Sequence, residues 1–397
     1  MNSSDTLVCP VCESVQTQSF FSQLGVPTQA GYLAPTRSRS LNCELGDITL
    51  EHCRICGHVW NSSFDPNKLG FDPNYDFSQY HSATYRDYVR GSIERLKSRY
   101  KLTGKTALDI GCGKGDYLRM LIAAGFAKGI GFDPTFVEAN FSEEDRRRIT
   151  VYRKYFGPED SGLKPDLITC RSALQYIPKP RDVLSCIRKA LEDRLDTVVY
   201  FEVPNGAEAF REKNVWYVMY EAGCFFSPSS LARIFRECGF QVLDILPALG
   251  SSQLEIEAKP SLSPRKHPSE DPQLIAEIDQ QVNGFAVEYA TRVKEWSERF
   301  DLYRKQEKKV VLWASGMRAI SLLANVPSAA SCVEYVVDVN PKRQGRYMPK
   351  SGQRVVAPAK LRQIAPEIVI ATNPNYVPEI LKQIKDLGVA CDFQVLR

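Results

Sequence analysis

The chain has 397 residues, long enough for two or three domains that each bury a core. Its 43% hydrophobic and 25% charged content is that of an average soluble protein, and no apolar run approaches the roughly 20 residues of a membrane span. A net charge of only +4, with no basic block beyond "EEDRRR", gives no electrostatic case for nucleic acid or a membrane as partner, which leaves small molecules. The opening "MNSSDTLVCP" shows no secretory or transit pattern, so a cytoplasmic monomer or homodimer is expected.

The first segment, 1–75, carries "CPVC" and, some forty residues on, "CRIC". Two such knuckles aim pairs of thiolates at one point, and Cys9, Cys12, Cys53 and Cys56 together make the closed tetrahedral shell of a structural zinc ion. Cys43, His52 and His58 lie close enough in sequence to serve as alternative ligands, but none repeats the paired spacing. A closed shell has no open position, so this metal is expected to fold the segment rather than to do chemistry.

The second segment, 76–258, alternates strand and helix: "KTALDIGCG", "GDYLRMLIAAG", "AKGIGFDP", "DLITC", "PRDVLSCIRKALE", "DTVVYFEVP". That alternation predicts a mostly parallel, doubly wound α/β sheet. The turn "DIGCGKG" places Gly111, Gly113 and Gly115 where a strand gives way to a helix, and residues without a Cβ let a ligand approach the backbone there. A nicotinamide dinucleotide is the competing ligand. The spacing is GxGxG rather than GxGxxG, however, and Asp109 precedes it, which favours a ligand with an amino-acid tail over one with phosphates. Asp133, ending the next strand, stands where a carboxylate takes both hydroxyls of a ribose.

A linker, 259–272, concentrates proline, serine and charge. Beyond it, Ile278, Val282, Phe285, Tyr289, Val293, Trp296, Phe300 and Tyr303 recur at helical spacing and predict one long amphipathic helix. The rest of 273–397 repeats the strand and helix alternation and reads as a second, smaller α/β domain.

In order, "ALDIGCGKGDYL", "GFDP", "RSALQYIPKP" and "YFEVPN" resemble the successive motifs of class I S-adenosylmethionine-dependent methyltransferases. Together with the doubled CxxC and the tail segments "VVDVNPKRQGRYMPKSGQRVVAP" and "NPNYVPEI", they resemble the three-domain sugar C-methyltransferases. That family has a zinc-binding N-terminal domain, a Rossmann-like methyltransferase core and a Rossmann-like C-terminal domain. The resemblance implies S-adenosylmethionine as cofactor, structural Zn2+ and a small-molecule acceptor such as a sugar, nucleotide sugar or natural-product intermediate. It implies Gly111, Gly113 and Gly115 in the cofactor turn, with the first two against the methionine portion, and Asp133 on the ribose. Phe132 and Pro134 then flank the nucleoside, Tyr155 or Phe156 lies near the adenine, and Arg171, Ser172 and Leu174 close over the sulfonium.

The chain departs from that family in its lid segment, which there reads Tyr-Glu-His followed two residues later by Tyr-Phe-Ser. Here "YEAGCFFS" keeps Tyr220, Glu221 and Ser227, but Ala222 stands at the histidine position and Phe225 at the tyrosine position. Neither can move a proton, so oxygen or nitrogen becomes as eligible an acceptor as carbon. Tyr80, His81, Tyr220 and Glu221 are the residues left to assist catalysis, and Glu202 either faces the cleft or holds a loop. The C-terminal "WASGMRA" retains only Gly316 of the glycines expected there, which predicts a cleft wall rather than a second nucleotide site. A cofactor-binding protein without turnover and a nicotinamide oxidoreductase are the alternatives.

Overall fold

The computed structural model describes residues 7–138, 141–192 and 194–397. Three sheets organise them. Strands β1 (Thr17–Pro27), β2 (Leu45–Cys53) and β3 (Val59–Asn61) pair antiparallel near the N-terminus.

The largest sheet takes β4 (Thr106–Ile110), β5 (Lys128–Phe132), β6 (Ile149–Tyr152), β7 (Leu167–Arg171) and β8 (Val198–Pro204), all parallel. Strand β9 (Cys224–Phe225) leaves this region to pair with β3 of the first sheet. The hairpin β10 (Phe240–Ala248) and β11 (Gln253–Pro260) then closes the large sheet antiparallel against β8. The resulting order, β10-β11-β8-β7-β4-β5-β6, reverses direction at β4. Ligands of such open sheets bind outside the carboxyl end of the strand where the order reverses.

The local reasons are plain in the residues. Every residue of β7 is buried, as is all of β4 but its first, because helices cover both faces. The helix Ala83–Tyr100 turns Tyr85, Val89, Ile93 and Leu96 onto one face, and Pro180–Leu191 does the same with Leu184, Ile187 and Leu191 on the other.

The last sheet is all parallel: β12 (Val310–Trp313), β13 (Val333–Val337), β14 (Arg354–Val356), β15 (Ile368–Ala371) and β16 (Asp392–Val395), in the order β14-β13-β12-β15-β16. Its own order reverses at β12.

Three expectations need correction here. The long amphipathic helix is two helices, Pro272–Val282 and Phe285–Lys305. Gly284 between them has φ +86°, left-handed backbone that ends the first helix and re-aims the second. The apolar stripe survives the break: Ile278, Val282, Phe285, Trp296 and Phe300 are all buried in one core with Phe21, Phe210 and Leu312.

The linker also begins inside a strand, since Lys259 and Pro260 finish β11, and it ends where Pro272 opens a helix. Finally, the segment around Tyr220 is no lid. Val215, Trp216, Met219, Tyr220 and Phe225 are buried in the core that joins the first and last sheets. A Cβ placed on Gly46 would lie 2.2 Å from the Tyr220 ring, so the ring rests directly on β2. Ser227 caps the helix Pro228–Glu237, accepting from the Ser230 backbone N–H at 3.1 Å.

Candidate functional site

A cleft of about 740 Å3 opens over the carboxyl ends of β4, β5 and β7. The turns that follow β12, β13 and β15 close it from the far side, so the two parallel sheets face each other across it.

The near wall begins with the glycine turn. Gly111, Gly113 and Gly115 have φ of +73°, +55° and +81°, a region L side chains rarely adopt. At Gly111 a Cβ would also stand 2.7 Å from Ala173 Cβ, whereas Gly113 has open space on its Cβ side and lines the cleft. Gly115 lies outside the lining; it packs on Phe141 and starts the helix Asp116–Ala123.

Asp133 ties the turn to the next strand: Oδ2 accepts from the Gly113 N–H at 2.8 Å, and Oδ1 from the Thr135 N–H at 2.7 Å and its hydroxyl at 2.6 Å. Oδ2 keeps a lone-pair site while Oδ1 already accepts twice, and the residue lines the cleft. The pocket beyond it is aromatic. Phe132 stacks on Tyr152 at 5.0 Å and meets the Phe156 edge at 5.2 Å, and Phe132, Pro134, Tyr155 and Phe156 all line the cleft. Open left-handed glycines, a carboxylate and an aromatic slot in that order fit an amino-acid nucleoside.

Asp109 lies one step before the turn. Its carboxyl is buried and accepts the Thr169 hydroxyl at 2.6 Å. Burial pushes it up to about 7, against the opposing effects of that hydrogen bond and of Arg171.

Arg171 closes the end of β7. It donates to Tyr80 Oη at 2.7 Å and to Tyr85 Oη at 3.3 Å, pairs with the fully buried Glu202 at 2.6 Å and lies 4.6 Å over the Tyr117 ring. Glu202 therefore holds the strand end and takes the Ser172 hydroxyl at 3.1 Å as well. Ser172 sits in left-handed backbone at φ +51°, a strained position on the cleft wall. Leu174, expected beside it, is fully buried and outside the lining.

Of the expected catalytic residues, Tyr80 and His81 line the cleft. Burial, partly offset by Arg171, raises the Tyr80 hydroxyl well above its usual range, so it stays a hydrogen-bond donor. Tyr220 and Glu221 do not line it. The Asp65 backbone N–H donates to Tyr220 Oη at 2.8 Å. Glu221 is fully buried, accepts from the Ala30 N–H at 2.9 Å and is raised by that burial. Glu221 is linked to the cleft by Tyr75, which lines it and donates to Glu221 Oε1 at 2.7 Å. Ala222 and Phe225 are buried outside the lining too, so the substitutions at those positions alter core packing rather than the cleft surface.

Sequence reasoning missed Tyr75, Tyr176, Tyr217 and Arg318, all of which line the cleft. The density of aromatics from Phe71 to Tyr85, in an otherwise polar stretch, is the signal that marked the first of these. Arg318 had none.

Away from the cleft, the sulfurs of Cys9, Cys12, Cys53 and Cys56 all lie within 4.8 Å of one another, with Cys9 to Cys56 at 3.7 Å and Cys12 to Cys53 at 3.5 Å. A tetrahedral ion about 2.3 Å from each sulfur separates them by roughly 3.8 Å, so the cluster fits one ion. The alternative ligands His52 and His58 are not among the clustered groups: His58 Nδ1 faces Ser230 Oγ at 3.4 Å, and His52 Nδ1 lies 3.3 Å from Asp279. Cys43 is no part of the cluster.

A reversed parallel sheet with a glycine turn and a strand-end carboxylate over its switch point defines a Rossmann-like nucleoside-binding enzyme. Comparison with known proteins narrows the class. Residues 80–245 match the family described as a methyltransferase domain, and residues 269–390 match the C-methyltransferase C-terminal domain. The C-methyltransferase NovU of Streptomyces niveus is 22% identical over 318 residues, spanning 75% of this chain and 74% of its own length. A ubiquinone biosynthesis O-methyltransferase of Nitrosospira multiformis is 26% identical over 223 residues, 52% of this chain and 85% of its own. Among solved structures, magnesium protoporphyrin IX methyltransferase from Synechocystis PCC 6803 aligns with a TM-score of 0.35 at 15% identity, over 47% of this chain and 88% of that one. The chain is an S-adenosylmethionine-dependent methyltransferase, and its three-part architecture fits that of the sugar C-methyltransferases.

Proposed function

We propose that the enzyme methylates a small molecule of the sugar, nucleotide-sugar or natural-product class, held in the cleft between the two parallel sheets. The observation that carries this reading is the cleft's two-sided lining: cofactor motifs on one wall, and on the other the turns after β12, β13 and β15. When bound, S-adenosylmethionine supplies an electrophilic methyl group on a sulfonium. Gly111 and Gly113 would lie along its amino-acid part, Asp133 would take its ribose, and Phe132, Pro134 and Phe156 would enclose its adenine. Arg171, already neutralised by Glu202, would wall the reacting end with Ser172.

The chain's own contribution to transfer is alignment and exclusion of water, which suits a displacement at carbon. Tyr80 can orient an acceptor oxygen by donating to it, and His81, exposed at the cleft, is the imidazole able to take a proton there. Of the expected catalytic residues only Tyr80 and His81 line the cleft, so an oxygen or nitrogen nucleophile, which needs less help from a base, is as well served as a carbon one. A mass-spectrometric screen of nucleotide sugars and natural-product intermediates for the gain of one methyl group tests the reading. The screen run in heavy water shows whether a carbon-bound proton exchanges, and an absence of any methylated product across the library would sink the proposal.

The four-cysteine cluster we read as a structural zinc site. The domain limits we take as 1–75, 76–260 and 272–397, joined by 261–271, since Pro260 ends β11 and Pro272 opens the next helix. Both readings rest on the sulfur geometry and on the three sheets, and β9 crosses from the second part into the first. A chelator at neutral pH should unfold the N-terminal sheet, seen as lost tryptophan signal from Trp60. Removal of the metal with that signal intact would refute the structural role.

A further inference from the structure

Four buried donors on cleft-lining residues lack a hydrogen-bond partner among the described residues: Tyr117 Oη and Arg171 Nε on the cofactor side, and Tyr217 Oη and Arg318 Nη1 away from it. Arg318, second residue of the helix Met317–Asn325, makes no hydrogen bond or ion pair among the described residues, and its Nη1 is shut off from solvent. Its guanidinium lies 5.8 Å from the ring centre of Tyr217, whose hydroxyl is likewise buried and unpaired. Both residues line the cleft, Tyr217 from the turn Val215–Tyr217 before β9 and Arg318 from the helix after β12.

An unpaired buried cation is costly, and burial does push the Arg318 guanidinium below its usual range. Beyond the Tyr217 ring, no carboxylate among the described residues pairs with it. Glu379, a cleft carboxylate from the same domain, is committed to the start of the helix Ala83–Tyr100, through the Ser82 hydroxyl at 2.6 Å and the Thr84 N–H at 3.1 Å. Asp338 is held by Ser315 and Arg343. Asp76 is held by Asn340 at 2.7 Å. Buried polar groups in folded proteins are nearly always paired, so an orphan pair aimed into a cleft marks the place of a ligand atom. Two donors, one of them a guanidinium, call for an anionic oxygen.

We propose that Arg318 and Tyr217 are specificity residues that together bind a carboxylate or phosphate oxygen carried by the methyl acceptor. This rests on the reading of the cleft as the acceptor site. It restricts the acceptors to acids, because a neutral acceptor leaves the guanidinium unpaired. It also fixes the acceptor's direction: the anionic end lies at the helix Met317–Asn325 and the nucleophile toward β4 and β7.

The test is calorimetric titration of the protein loaded with S-adenosylhomocysteine, using pyrophosphate in one arm and citrate in the other. The wild type should bind at least one of the two, more weakly as salt rises, and the arm that binds tells phosphate from carboxylate. Arg318→Gln should weaken that binding about tenfold or more, Tyr217→Phe should weaken it less, and Arg318→Lys should restore part of it. Affinity for S-adenosylhomocysteine should be unchanged in all three. Failure of the wild type to bind either anion, or equal binding by Arg318→Gln, overturns the proposal. Failure of the wild type to bind S-adenosylhomocysteine would instead remove the methyltransferase reading, and the anion titration repeated without it would still decide the role of Arg318.

Discussion

The two strand-turn-helix units that face each other across the cleft share one plan and put it to different ends. In the first, the Gly111 N–H donates to Phe132 O at 2.8 Å and the Gly113 N–H to Asp133 Oδ2 at 2.8 Å. In the second, the Ala314 N–H donates to Val337 O at 2.8 Å and the Ser315 N–H to Asp338 Oδ2 at 3.0 Å. Turn and carboxylate are thus hydrogen-bonded alike. What differs is what stands in front of them. Both carboxylates line the cleft, and each also takes a hydroxyl and the N–H two residues on, from Thr135 at Asp133 and from Ser315 and Asn340 at Asp338; the second unit adds the Arg343 guanidinium, 3.7 Å from Asp338. Arg343 goes on to bond Ser315 O at 2.7 Å, Asp76 O at 2.8 Å and Ala30 O at 3.0 Å. In the second unit the chain thus sets its own cation beside the carboxylate, and that arginine ties the three parts of the molecule together. A shared fold therefore does not imply a shared site.

The largest expected effect comes from removing that arginine. Arg343 is buried and its donors hold oxygens from three segments, so Arg343→Met should cost roughly 3 kcal/mol or more in urea unfolding, as when one member of a buried charged network is lost. An unchanged midpoint would mean that the contacts to Ala30 and Asp76 contribute nothing to the docking of the sheets.

The carboxylates come next. Asp133→Ala should weaken cofactor affinity by about 2 kcal/mol, because charge-assisted hydrogen bonds to the ligand are lost, and should also lower the melting temperature, because the Gly113 and Thr135 donors lose their acceptor. Asp338→Asn should lower the melting temperature and leave cofactor affinity alone. Calorimetry of both variants with S-adenosylhomocysteine checks the contrast, and equal losses of affinity would erase the distinction drawn between the units.

A pH effect of intermediate size belongs to the first unit. The folded Asp109 carboxyl is raised to about 7, above its unfolded value. The shift therefore favours folding least above about 7, and the penalty disappears as pH falls below the ordinary carboxyl range. For binding the sign is opposite. A cationic amino group of the cofactor would pair with the carboxylate, so affinity should rise as pH rises through about 7 and become flat in Asp109→Asn. The buffers must match in ionic strength, because salt screens charge pairs. A wild-type affinity that does not vary across roughly one pH unit on either side of that value would detach Asp109 from the cofactor.

These contrasts show what the sequence could and could not reveal. The glycine turn and Asp133 were legible because close approach of a ligand demands residues of one kind at fixed spacing, and the paired CxxC was legible for the same reason. The break at Gly284 was a missed local signal, an Asn-Gly pair inside an otherwise continuous stripe. The role of "YEAGCFFS" was not legible, because its partners are remote: Tyr220 rests on Gly46 and meets Asp65, and Glu221 meets Ala30 and Tyr75. A resemblance places a residue in order along the chain, but the face it presents is decided by distant segments. Asp65 lies 155 residues from Tyr220, and Ala30 lies 191 from Glu221. Arg318 and Arg343 were invisible for a related reason. Single arginines carry no spacing, and only the structure separates the one hydrogen-bonded to three segments from the one without a hydrogen-bond or ion-pair partner among the described residues.

The smallest effect probes the backbone that the two units share. Gly111 at φ +73° and Ala314 at φ +80° occupy equivalent left-handed positions, yet only the first is glycine. An L residue there carries a strain of about 1 kcal/mol that glycine escapes, partly offset by the greater entropy glycine loses on folding. Ala314→Gly should therefore stabilise the protein slightly, by up to about 1 kcal/mol, and leave cofactor binding untouched. Gly111→Ala adds the same strain and a Cβ only 2.7 Å from that of Ala173, so it should destabilise the protein and displace the wall that carries Ser172. If Ala314→Gly instead lowered the urea midpoint, its methyl group would be contributing packing that outweighs the strain, and the two turns would be alike in hydrogen bonding but not in energy.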